Sequence, residues 1–427
     1  MIWEISPCSQ LTGRIAVPGS KSHTIRAVVA ALLADGTSEI HAPLYSADTR
    51  SALAAAKSLG AEVEESPTLW KITGHGKNFT PPAGAIDLGN SGTTMRIMTA
   101  VAALGRSRIA FDGDSSLRSR IMAGELAALG SLGAVCTSTG GFAPLSVTGP
   151  LQGGTAVVDG TTSQYLTALL MALVMAENDS VLTLDFLNEA DYVRITLDWL
   201  KRCGIQVTHR DDLLRFEIPG KQHYQPFSRV IPADFSTAAF PLGAGVIAGS
   251  GVRIANLDFD DLQGDKKVFD YVRAMNGNIT IGPDEVVVRR SELSGGTFDL
   301  NATPDALPIM AVLGCYAAGE TRLVNVPQAR LKECDRIACM TRELRKMGAE
   351  IEELEDGMIV RGGRPLHGAL TESYGDHRIA MALSVAALGA DGRTLIRDGE
   401  CCQVTYPAFA DDFAGLGVTI KESEQLL

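Results

Sequence analysis

A glycine that follows a helical pattern and precedes an alternating, strand-like pattern occurs six times along the chain, at intervals of 69 to 73 residues. The segments are "SLGAEV" at Gly60, "SLGAVC" at Gly133, "RCGIQV" at Gly204, "MNGNIT" at Gly277, "KMGAEI" at Gly348 and "GLGVTI" at Gly417. Because glycine tolerates the left-handed backbone that ends many helices, each segment predicts a helix, a glycine cap and a strand. A fixed period of this length predicts a fold made of copies of one structural repeat.

A second series of segments keeps the same period, and in each of them an apolar helical pattern turns into a strand-like pattern. These turns lie near Gly36, Gly105, Asn178, Gly249, Gly319 and Gly392. The two series interleave. Each repeat is therefore predicted to contain an apolar helix, a strand, an amphipathic helix, a glycine cap and one or two further strands.

The first helix of each repeat is apolar on nearly every side, as in "RAVVAALLA" and "YLTALLMALVMA". A helix without a polar face belongs inside a core, whereas amphipathic segments such as "DTRSALAAAKSL" and "DRIACMTRELRKM" belong nearer the surface. The pattern predicts an α/β fold with buried helices wrapped by sheets and outer helices. A chain of 427 residues is long enough for two domains, and Pro232 marks the expected crossing between three repeats and three.

Composition excludes several classes of protein. A formal net charge of -12 argues against a nucleic-acid partner, which needs a basic face. The longest apolar segments run about a dozen residues, short of the roughly 20 that a membrane helix needs, and "MIWEISPCSQL" lacks signal-peptide features, so a cytoplasmic protein is expected. The eight cysteines show no CxxC pair or zinc spacing, which predicts free thiols, and the scattered histidines form no metal motif.

Each apolar helix is preceded by a short polar segment. The segments are "PGSKSHTIR", "LGNSGTTMR", "DGTTSQY", "IPADFSTA", "NATPDALP" and "SYGDHR". Their Ser, Thr, Asn and Asp residues are suited to cap helices. Capping does not explain Lys21, Arg26, Arg96 and Arg378, because a cation at a helix N-terminus opposes the helix dipole. A bound anion would offset these charges, so the segments predict an anionic ligand.

Two further segments carry clustered charge. In "PQARLKECDRIACMTREL", Lys332, Asp335 and Arg336 fall within about one helical turn, with Glu333 beside them, which predicts that acid and base groups are presented together. A solvated helix face is the alternative. "FDGDSSLRSRIM" places Arg118 and Arg120 at a strand-to-helix turn, where exposed loop arginines are the alternative.

Several motifs together resemble the enolpyruvyl transferase family, and within it the 5-enolpyruvylshikimate-3-phosphate synthases. They are "PGSKSHTIRA", "LGNSGTTMR", "GDSSLRSR", "SQYLTALLMAL", "PDALP", "RLKECDR" and "GDHRIAMAL", and they span essentially the whole chain. The resemblance implies the two-domain enolpyruvyl transferase fold, an inside-out α/β barrel with six βαβαββ-like repeats, three per domain. It places residues 1–19 with 232–427 in one domain and residues 20–231 in the other, with the active-site cleft between them.

The resemblance also implies the reaction. The family transfers the enolpyruvyl group of phosphoenolpyruvate to the 5-hydroxyl of shikimate 3-phosphate and releases phosphate, a step of aromatic amino acid biosynthesis that needs no metal or organic cofactor. The expected partners are these two small molecules, with no nucleic acid and no membrane, and a monomer is expected.

Site residues follow from the resemblance position by position. The expected catalytic residues are Lys21, Asp305, Lys332 and Glu333. The expected contacts to phosphoenolpyruvate are Lys21, Gly92, Thr93, Arg120, Gln164, Arg336 and Arg378. The expected contacts to shikimate 3-phosphate are Ser22, Arg26, Thr162, Ser163, Gln164, Asp305, Gln328 and Lys332. His23 has no assigned role and is expected to serve local structure.

Four positions depart from the family pattern. Glu189 stands where a serine usually helps to hold the shikimate phosphate, and Ile121 where a proline usually follows the loop arginine. Val404 and Gln328 replace a frequent lysine and a frequent asparagine. Two alternatives therefore stay open: an enolpyruvyl transferase that acts on a different alcohol, and a catalytically silent paralogue that only binds ligands. Retention of Lys21, Asp305, Lys332, Glu333 and Arg378 argues against the second.

Overall fold

A computed structural model describes residues 1–424 of the chain. It divides into two compact units, each described here by itself. The inserted unit is Gly19–Ile231, and the terminal unit joins Met1–Pro18 to Pro232–Leu427. Each unit contains three of the repeats and has a hydrophobic core of its own.

The helices and strands alternate along the chain as the repeat pattern predicts. Within the described residues the α-helices are α1 (Lys21–Leu33), α2 (Ala47–Ser58), α3 (Gly92–Ala102), α4 (Ser115–Arg118), α5 (Ala123–Ser131), α6 (Ser163–Leu173), α7 (Ala190–Arg202), α8 (Phe235–Ala248), α9 (Lys267–Ala274), α10 (Leu307–Tyr316), α11 (Arg336–Lys346), α12 (His377–Leu388) and α13 (Phe409–Gly415). Short 3-10 helices lie at Gly264–Lys266, Pro304–Ala306, Pro327–Leu331 and Gly399–Val404.

The strands are short and are distributed over all six repeats. They are β1 (Ile2–Ile5), β2 (Leu11–Ala16), β3 (Asp35–His41), β4 (Glu62–Glu65), β5 (Leu69–His75), β6 (Ile86–Asp87), β7 (Ile109–Asp112), β8 (Val135–Thr139), β9 (Phe142–Thr148), β10 (Gly154–Val157), β11 (Ser180–Thr183), β12 (Thr208–His209), β13 (Arg215–Ile218), β14 (Ser228–Val230), β15 (Gly249–Ala255), β16 (Asn278–Ile281), β17 (Glu285–Arg289), β18 (Thr297–Asp299), β19 (Glu320–Val324), β20 (Glu350–Leu354), β21 (Gly357–Arg361), β22 (Leu370–Glu372), β23 (Thr394–Arg397) and β24 (Ile420–Ser423).

The strands form six four-stranded sheets, one for each repeat, with one shared pattern. In every sheet a parallel pair at one edge is followed by two antiparallel pairs. In the sheet β14-β3-β5-β4, for example, Arg229 lies opposite Ile40 in the parallel pair, and Ile40 lies opposite Trp70 in the next pair. The N-terminal strands complete sheets of the terminal unit, because β1 pairs with β23 and β24 and β2 pairs with β15.

The six apolar helices are buried, as their composition predicts. They are α1, α3, α6, α8, α10 and α12, and α8 and α12 are buried at every position. Because both faces of such a helix pack in the core, only its ends are left to meet a ligand. The first turn of each buried helix is therefore where polar chemistry is available.

The glycine caps occur as predicted in five of the six repeats. Gly60, Gly133, Gly204, Gly348 and Gly417 all have positive φ. The prediction at Gly277 is wrong by one residue, because the left-handed residue after α9 is Asn276, with φ of 67°. Asparagine tolerates this conformation better than most residues with a side chain, so it can replace glycine at the end of a helix.

Candidate active site

In the inserted unit, three buried helices begin with residues that the sequence singled out. Helix α1 begins at Lys21, α3 at Gly92 and α6 at Ser163. Thr162 is the cap of α6, and its hydroxyl accepts a hydrogen bond from the backbone N–H of Gln164 at 3.3 Å. A helix N-terminus presents backbone N–H groups and a partial positive charge, which suits an anion.

The start of α3 brings two arginines together. A Cβ atom on Gly92 would lie 2.8 Å from Nη1 of Arg120 and 2.8 Å from Nη1 of Arg96, so both guanidinium groups lie against this glycine. Arg120 donates to Oδ1 of Asn90 at 2.6 Å, and Arg96 donates to Oε1 of Gln164 at 2.8 Å. The structure thus brings together Gly92, Arg120 and Gln164, which the sequence assigned to the same ligand. Thr93, the next residue of α3, is half-buried.

The two cations of α1 have different surroundings. Lys21 Nζ lies 3.3 Å from Oδ2 of Asp48, and its side chain keeps 13% of its surface exposed. Arg26 is buried and donates to the hydroxyl groups of Thr196 at 2.9 Å and Thr167 at 3.3 Å. It also donates to the carbonyl oxygen of Ser22, which is half-buried. Burial lowers the pKa of Arg26 to about 10, so it stays charged near neutral pH.

Glu189 directly precedes α7, and its side chain reaches the start of α6, where the resemblance places a phosphate contact. Its Oε2 atom accepts hydrogen bonds from the backbone N–H of Ser163 at 3.2 Å, the Ser163 hydroxyl at 2.8 Å and the Thr162 hydroxyl at 3.4 Å. Only 1% of Glu189 is exposed, and its backbone is left-handed with φ of 58°. The Glu189 carboxylate therefore occupies hydrogen-bond donors of Thr162 and Ser163, two residues that were predicted to bind shikimate 3-phosphate.

In the terminal unit, three carboxylates converge on Arg336, the first residue of α11. Arg336 lies 2.7 Å from Asp305 through Nη1, 2.7 Å from Glu333 through Nη2 and 2.7 Å from Asp376 through Nε. Burial alone would lower the pKa of Arg336, but the charges of Asp376, Glu333 and Asp305 outweigh it and raise this pKa well above its usual value. The guanidinium group stays charged at every physiological pH.

Asp305 also binds a second arginine. Arg378 in the first turn of α12 places Nη2 2.8 Å from Oδ2 of Asp305, while the other oxygen of Asp305 faces Arg336. Asp376 caps α12 by accepting from the backbone N–H of Arg378 at 2.8 Å. Arg336 and Arg378 are 1% and 2% exposed, so two buried cations are fixed around one carboxylate.

Gln328 and Lys332 occupy the segment that precedes α11. Gln328 lies in the 3-10 helix Pro327–Leu331 and donates from Nε2 to the carbonyl oxygen of Asn301 at 2.9 Å. Its Oε1 atom is buried and has no hydrogen-bond partner within residues 1–424. Lys332 ends the 3-10 helix and directly precedes Glu333. Gln328 therefore has an acceptor available in the region that the sequence assigned to the shikimate partner.

Sequence reasoning missed Asp376 and gave Arg96 no assigned contact. Asp376 binds Arg336 and caps α12, and Arg96 holds Gln164. The signal for Asp376 was present, since an Asp directly before an apolar helix is a strong cap residue. His23, which was left to local structure, accepts a hydrogen bond from Trp199 Nε1 at 3.0 Å.

At two of the departing positions, Ile121 and Val404, the side chain makes none of these contacts. The Ile121 side chain is 43% exposed, while its carbonyl oxygen accepts from the Tyr165 hydroxyl at 2.7 Å. Val404 ends the 3-10 helix Gly399–Val404 and is half-buried. Ile121 thus contributes its backbone to the surroundings of Arg96, to which it is linked at 3.4 Å.

Residues 1–424 contain no helix with both the length and the apolar character needed to cross a membrane. Their His, Cys, Asp and Glu side chains form no group of three or more that is arranged to hold a metal ion.

Comparison with known proteins identifies the family. The model of the family described as EPSP synthase (3-phosphoshikimate 1-carboxyvinyltransferase) matches residues 5–413. The chain belongs to this family. A 3-phosphoshikimate 1-carboxyvinyltransferase of Acetivibrio thermocellus is 44% identical over 418 residues, which cover 97% of this chain and 98% of that protein. One from Methanococcus maripaludis is 38% identical over 96% of this chain and 98% of its own length.

Solved structures confirm the predicted fold class. An EPSP synthase from Acinetobacter baumannii has a TM-score of 0.82 at 26% identity, covering 99% of this chain and all of that one. The enolpyruvyl transferase NikO from Streptomyces tendae has a TM-score of 0.80 at 19% identity and 98% coverage of both chains. At this identity the similarity shows only that the two chains share a fold.

Proposed function

We propose that the chain transfers the enolpyruvyl group of phosphoenolpyruvate to the 5-hydroxyl of shikimate 3-phosphate, giving 5-enolpyruvylshikimate 3-phosphate and phosphate. Membership of the EPSP synthase family supports the reaction. The observation that carries the chemistry is Asp305, which lies 2.7 Å from Arg336 and 2.8 Å from Arg378. Two fixed cations next to carboxylates suit a reaction that binds an anion and moves protons.

The reaction requires three events at phosphoenolpyruvate. Its methylene carbon gains a proton, the acceptor hydroxyl loses its proton, and the hydroxyl oxygen forms a bond to the neighbouring carbon. The resulting adduct then loses phosphate from that carbon and a proton from the methyl group, which restores the enol. Acid and base groups close to the reacting atoms, and cations close to the leaving phosphate, lower the barriers to these steps.

The proposed roles are divided between the two units. In the terminal unit Glu333 carries the proton of the enol methylene, Asp305 and Lys332 act at the acceptor hydroxyl, and Arg336 and Arg378 bind phosphoenolpyruvate. In the inserted unit Lys21, Arg120, Gln164 and the first turn of α3 at Gly92 and Thr93 bind phosphoenolpyruvate. The acceptor is bound by Ser22, Arg26, Thr162, Ser163, Gln164, Asp305, Gln328 and Lys332.

These roles require the substrate to bind cations that already form ion pairs with carboxylates of the protein. Arg336 and Arg378 are held by Asp305, and Lys21 lies 3.3 Å from Asp48. A phosphoenolpyruvate anion would share these cations with the carboxylates. Held in place by carboxylates, the cations need little rearrangement to receive the substrate.

Phosphate release from phosphoenolpyruvate in the presence of shikimate 3-phosphate tests the proposal. The full chain is incubated with both substrates, with each alone, and with phosphoenolpyruvate and unphosphorylated shikimate. We expect release only when both substrates are present. An Arg378→Met variant should lose most activity, whereas Arg364→Met, which changes an exposed arginine of the same unit, should keep it. No turnover with both substrates would contradict the proposal.

One observation favours a second acceptor. Glu189 contacts both Ser163 and Thr162, and a carboxylate at that position repels a phosphate. The second candidate is therefore the same transfer to an alcohol without a phosphate group. Turnover with unphosphorylated shikimate but not with shikimate 3-phosphate would establish it.

We also propose that the chain acts as a monomer. Among residues 1–424, the exposed large hydrophobic side chains lie in both units, with Tyr45, Val157 and Val230 in the inserted unit and Leu262, Leu331 and Leu370 in the terminal unit. A stable obligate interface usually gathers such side chains into one patch. Light scattering should give the mass of one chain, 45.2 kDa, and a multiple of it would contradict this proposal.

A further inference from the structure

Two cysteines flank the cap of α11, beside the carboxylates that bind Arg336. Asp335 is the cap residue, and its Oδ1 atom accepts from the backbone N–H of Ala338 at 3.0 Å. Cys334 directly precedes the cap and Cys339 is the fourth residue of the helix. Side chains at these two positions pack against each other across a helix start, an arrangement that usually joins two apolar residues. Here it joins two thiols.

The two thiols are close enough to interact, and a hydrogen bond between them is the leading influence on the pKa of each. This bond lowers the pKa of Cys339, against the effect of burial and with help from the charge of Arg342. The same bond, followed by burial and the charge of Asp376, raises the pKa of Cys334. Of the two thiols, Cys339 is therefore the one that ionises more readily.

Cys334 also contacts the group of residues around Arg336. Its Sγ atom donates to Oδ2 of Asp376 at 3.7 Å, and the same oxygen accepts from Nε of Arg336 at 2.7 Å. Glu333, the proposed proton carrier, is the adjacent residue in the chain. Any change that moves the Cys334 sulfur therefore disturbs a segment that carries proposed catalytic groups.

We propose that Cys334 and Cys339 form a reversible disulfide when the protein meets a peroxide, and that this modification lowers the rate of enolpyruvyl transfer. The Cys339 thiolate attacks a peroxide oxygen, the O–O bond breaks, and after proton uptake a sulfenic acid and one water result. The sulfur of Cys334 then attacks that sulfenic sulfur, its proton leaves with the hydroxyl group as a second water, and the S–S bond forms. The two thiols lose two electrons, which reduce one peroxide to two waters.

The expected effect on activity follows from the geometry. A disulfide holds its sulfurs about 2.05 Å apart, so the Cys334 sulfur moves towards Cys339 and loses its contact with Asp376. Glu333 and Lys332 move with the backbone that carries them. Since a displacement of about 1 Å in a positioned group can lower a rate up to ~100-fold, we expect a loss of about tenfold or more.

Peptide mapping provides a direct test. The full chain is reduced, freed of reductant, exposed to hydrogen peroxide, and blocked with an alkylating reagent before trypsin digestion. Trypsin cuts after Lys332, Arg336 and Arg342, so the two cysteines fall in separate peptides, 333–336 and 337–342. We expect these peptides to be joined, with a mass about 2 Da below their sum. The joined species and the loss of activity should both reverse with dithiothreitol.

Variants separate this pair from the other thiols. Cys334→Ser and Cys339→Ser should each abolish the joined peptide and the reversible loss, measured against each variant's own activity. Cys136→Ser is the matched control, because Cys136 is a half-buried thiol of the inserted unit whose pKa burial raises to about 11. It should respond to peroxide as the original chain does.

Two results would overturn the proposal. One is the absence of the joined peptide after peroxide has oxidised other cysteines, and the other is an unchanged reversible loss in Cys334→Ser. The activity measurement rests on the proposed function, whereas the mapping does not. A chain that forms the joined peptide but never turns over phosphoenolpyruvate would contradict the proposed function and leave the modification site established.

Discussion

The carboxylate of Glu189 accepts hydrogen bonds from both the backbone N–H and the hydroxyl of Ser163, at 3.2 and 2.8 Å. Both donors lie at the start of α6, where a phosphate is expected. In the proposed complex, the acceptor's phosphate would compete with this carboxylate for the same donors, and Glu189 would then set the affinity for the acceptor.

A Glu189→Gln change should lower KM for shikimate 3-phosphate. It keeps the shape of the side chain and removes a charge that opposes the phosphate by about 1 kcal/mol or more, which corresponds to roughly fivefold in KM. Steady-state phosphate release measures it, with Glu217→Gln, an exposed residue of the same unit, as the control. An unchanged KM would show that Glu189 does not face the phosphate.

A Gly92→Ala change should raise KM for phosphoenolpyruvate. The new methyl group would lie 2.8 Å from Nη1 of both Arg120 and Arg96, so the guanidinium groups must move away. We expect KM for phosphoenolpyruvate to increase about tenfold, the effect of losing one charge-assisted hydrogen bond.

The matched control for this change is Gly130→Ala. Gly130 lies in α5, and among the described residues a Cβ placed there would have no neighbour within 4 Å beyond the adjacent residues and the backbone of its own helix. Alanine should leave kinetics unchanged and stabilise the helix by up to ~1 kcal/mol. Equal kinetics for the Gly92 and Gly130 variants would contradict the close approach of the arginines to Gly92.

An Arg336→Met change should destabilise the protein as well as inactivate it. It leaves Asp305, Glu333 and Asp376 without their shared cation in a buried setting, which typically costs about 3–5 kcal/mol. Denaturant unfolding measures the loss. Arg345→Met on the same helix removes an exposed arginine and should cost far less; similar losses for both variants would count against a structural role for the ion pairs.

Glu125 makes stability depend on pH. This residue of α5 is fully buried, and neither of its carboxyl oxygens has a hydrogen-bond partner in the described part of the chain. Burial raises the pKa of Glu125 well above its usual value, although the charge of Arg96 works in the opposite direction. The folded chain thus holds a proton that the unfolded chain releases above the ordinary carboxyl range. Stability should be full below that range and fall as pH rises towards the folded pKa.

A Glu125→Leu variant should therefore gain stability relative to the original chain as pH rises. We expect its free energy of unfolding to exceed that of the original chain by about 1–3 kcal/mol at pH 8, which is the usual cost of an unsatisfied buried polar group. Near pH 4 the difference should be smaller. Urea unfolding at both pH values checks it, with Glu64→Gln in β4 as an exposed control. A difference that does not change with pH would mean that Glu125 does not bind its proton more tightly in the folded state.

Most of the fold could be predicted from local sequence patterns. The burial of a helix such as α8 can be predicted from its own apolar residues, and the end of α2 from the glycine that follows it. Both predictions depend only on residues a few positions apart in the chain. The exception at Asn276 has the same origin. Asparagine and glycine both tolerate a left-handed backbone, so the sequence "NG" allows either residue to end the helix. In the structure Asn276, the first of the two, has the left-handed conformation.

Candidate residues were also predicted from sequence, but their partners were not. The sequence placed Lys332, Glu333 and Arg336 together because one turn of chain joins them. It could not show that Arg336 also contacts Asp305 and Asp376, which are 31 and 40 residues away. Nor could it show that Glu189 contacts Ser163, 26 residues away.

By itself, then, the sequence determined the repeat, the buried helices and the polar residues at their first turns, since each depends on short-range geometry. Tertiary structure alone decided which carboxylate meets which cation, that Arg96 holds Gln164, and that Cys334 touches Asp376. These contacts depend on how helices from different repeats pack, and packing is fixed by the shape of the whole core rather than by any one segment.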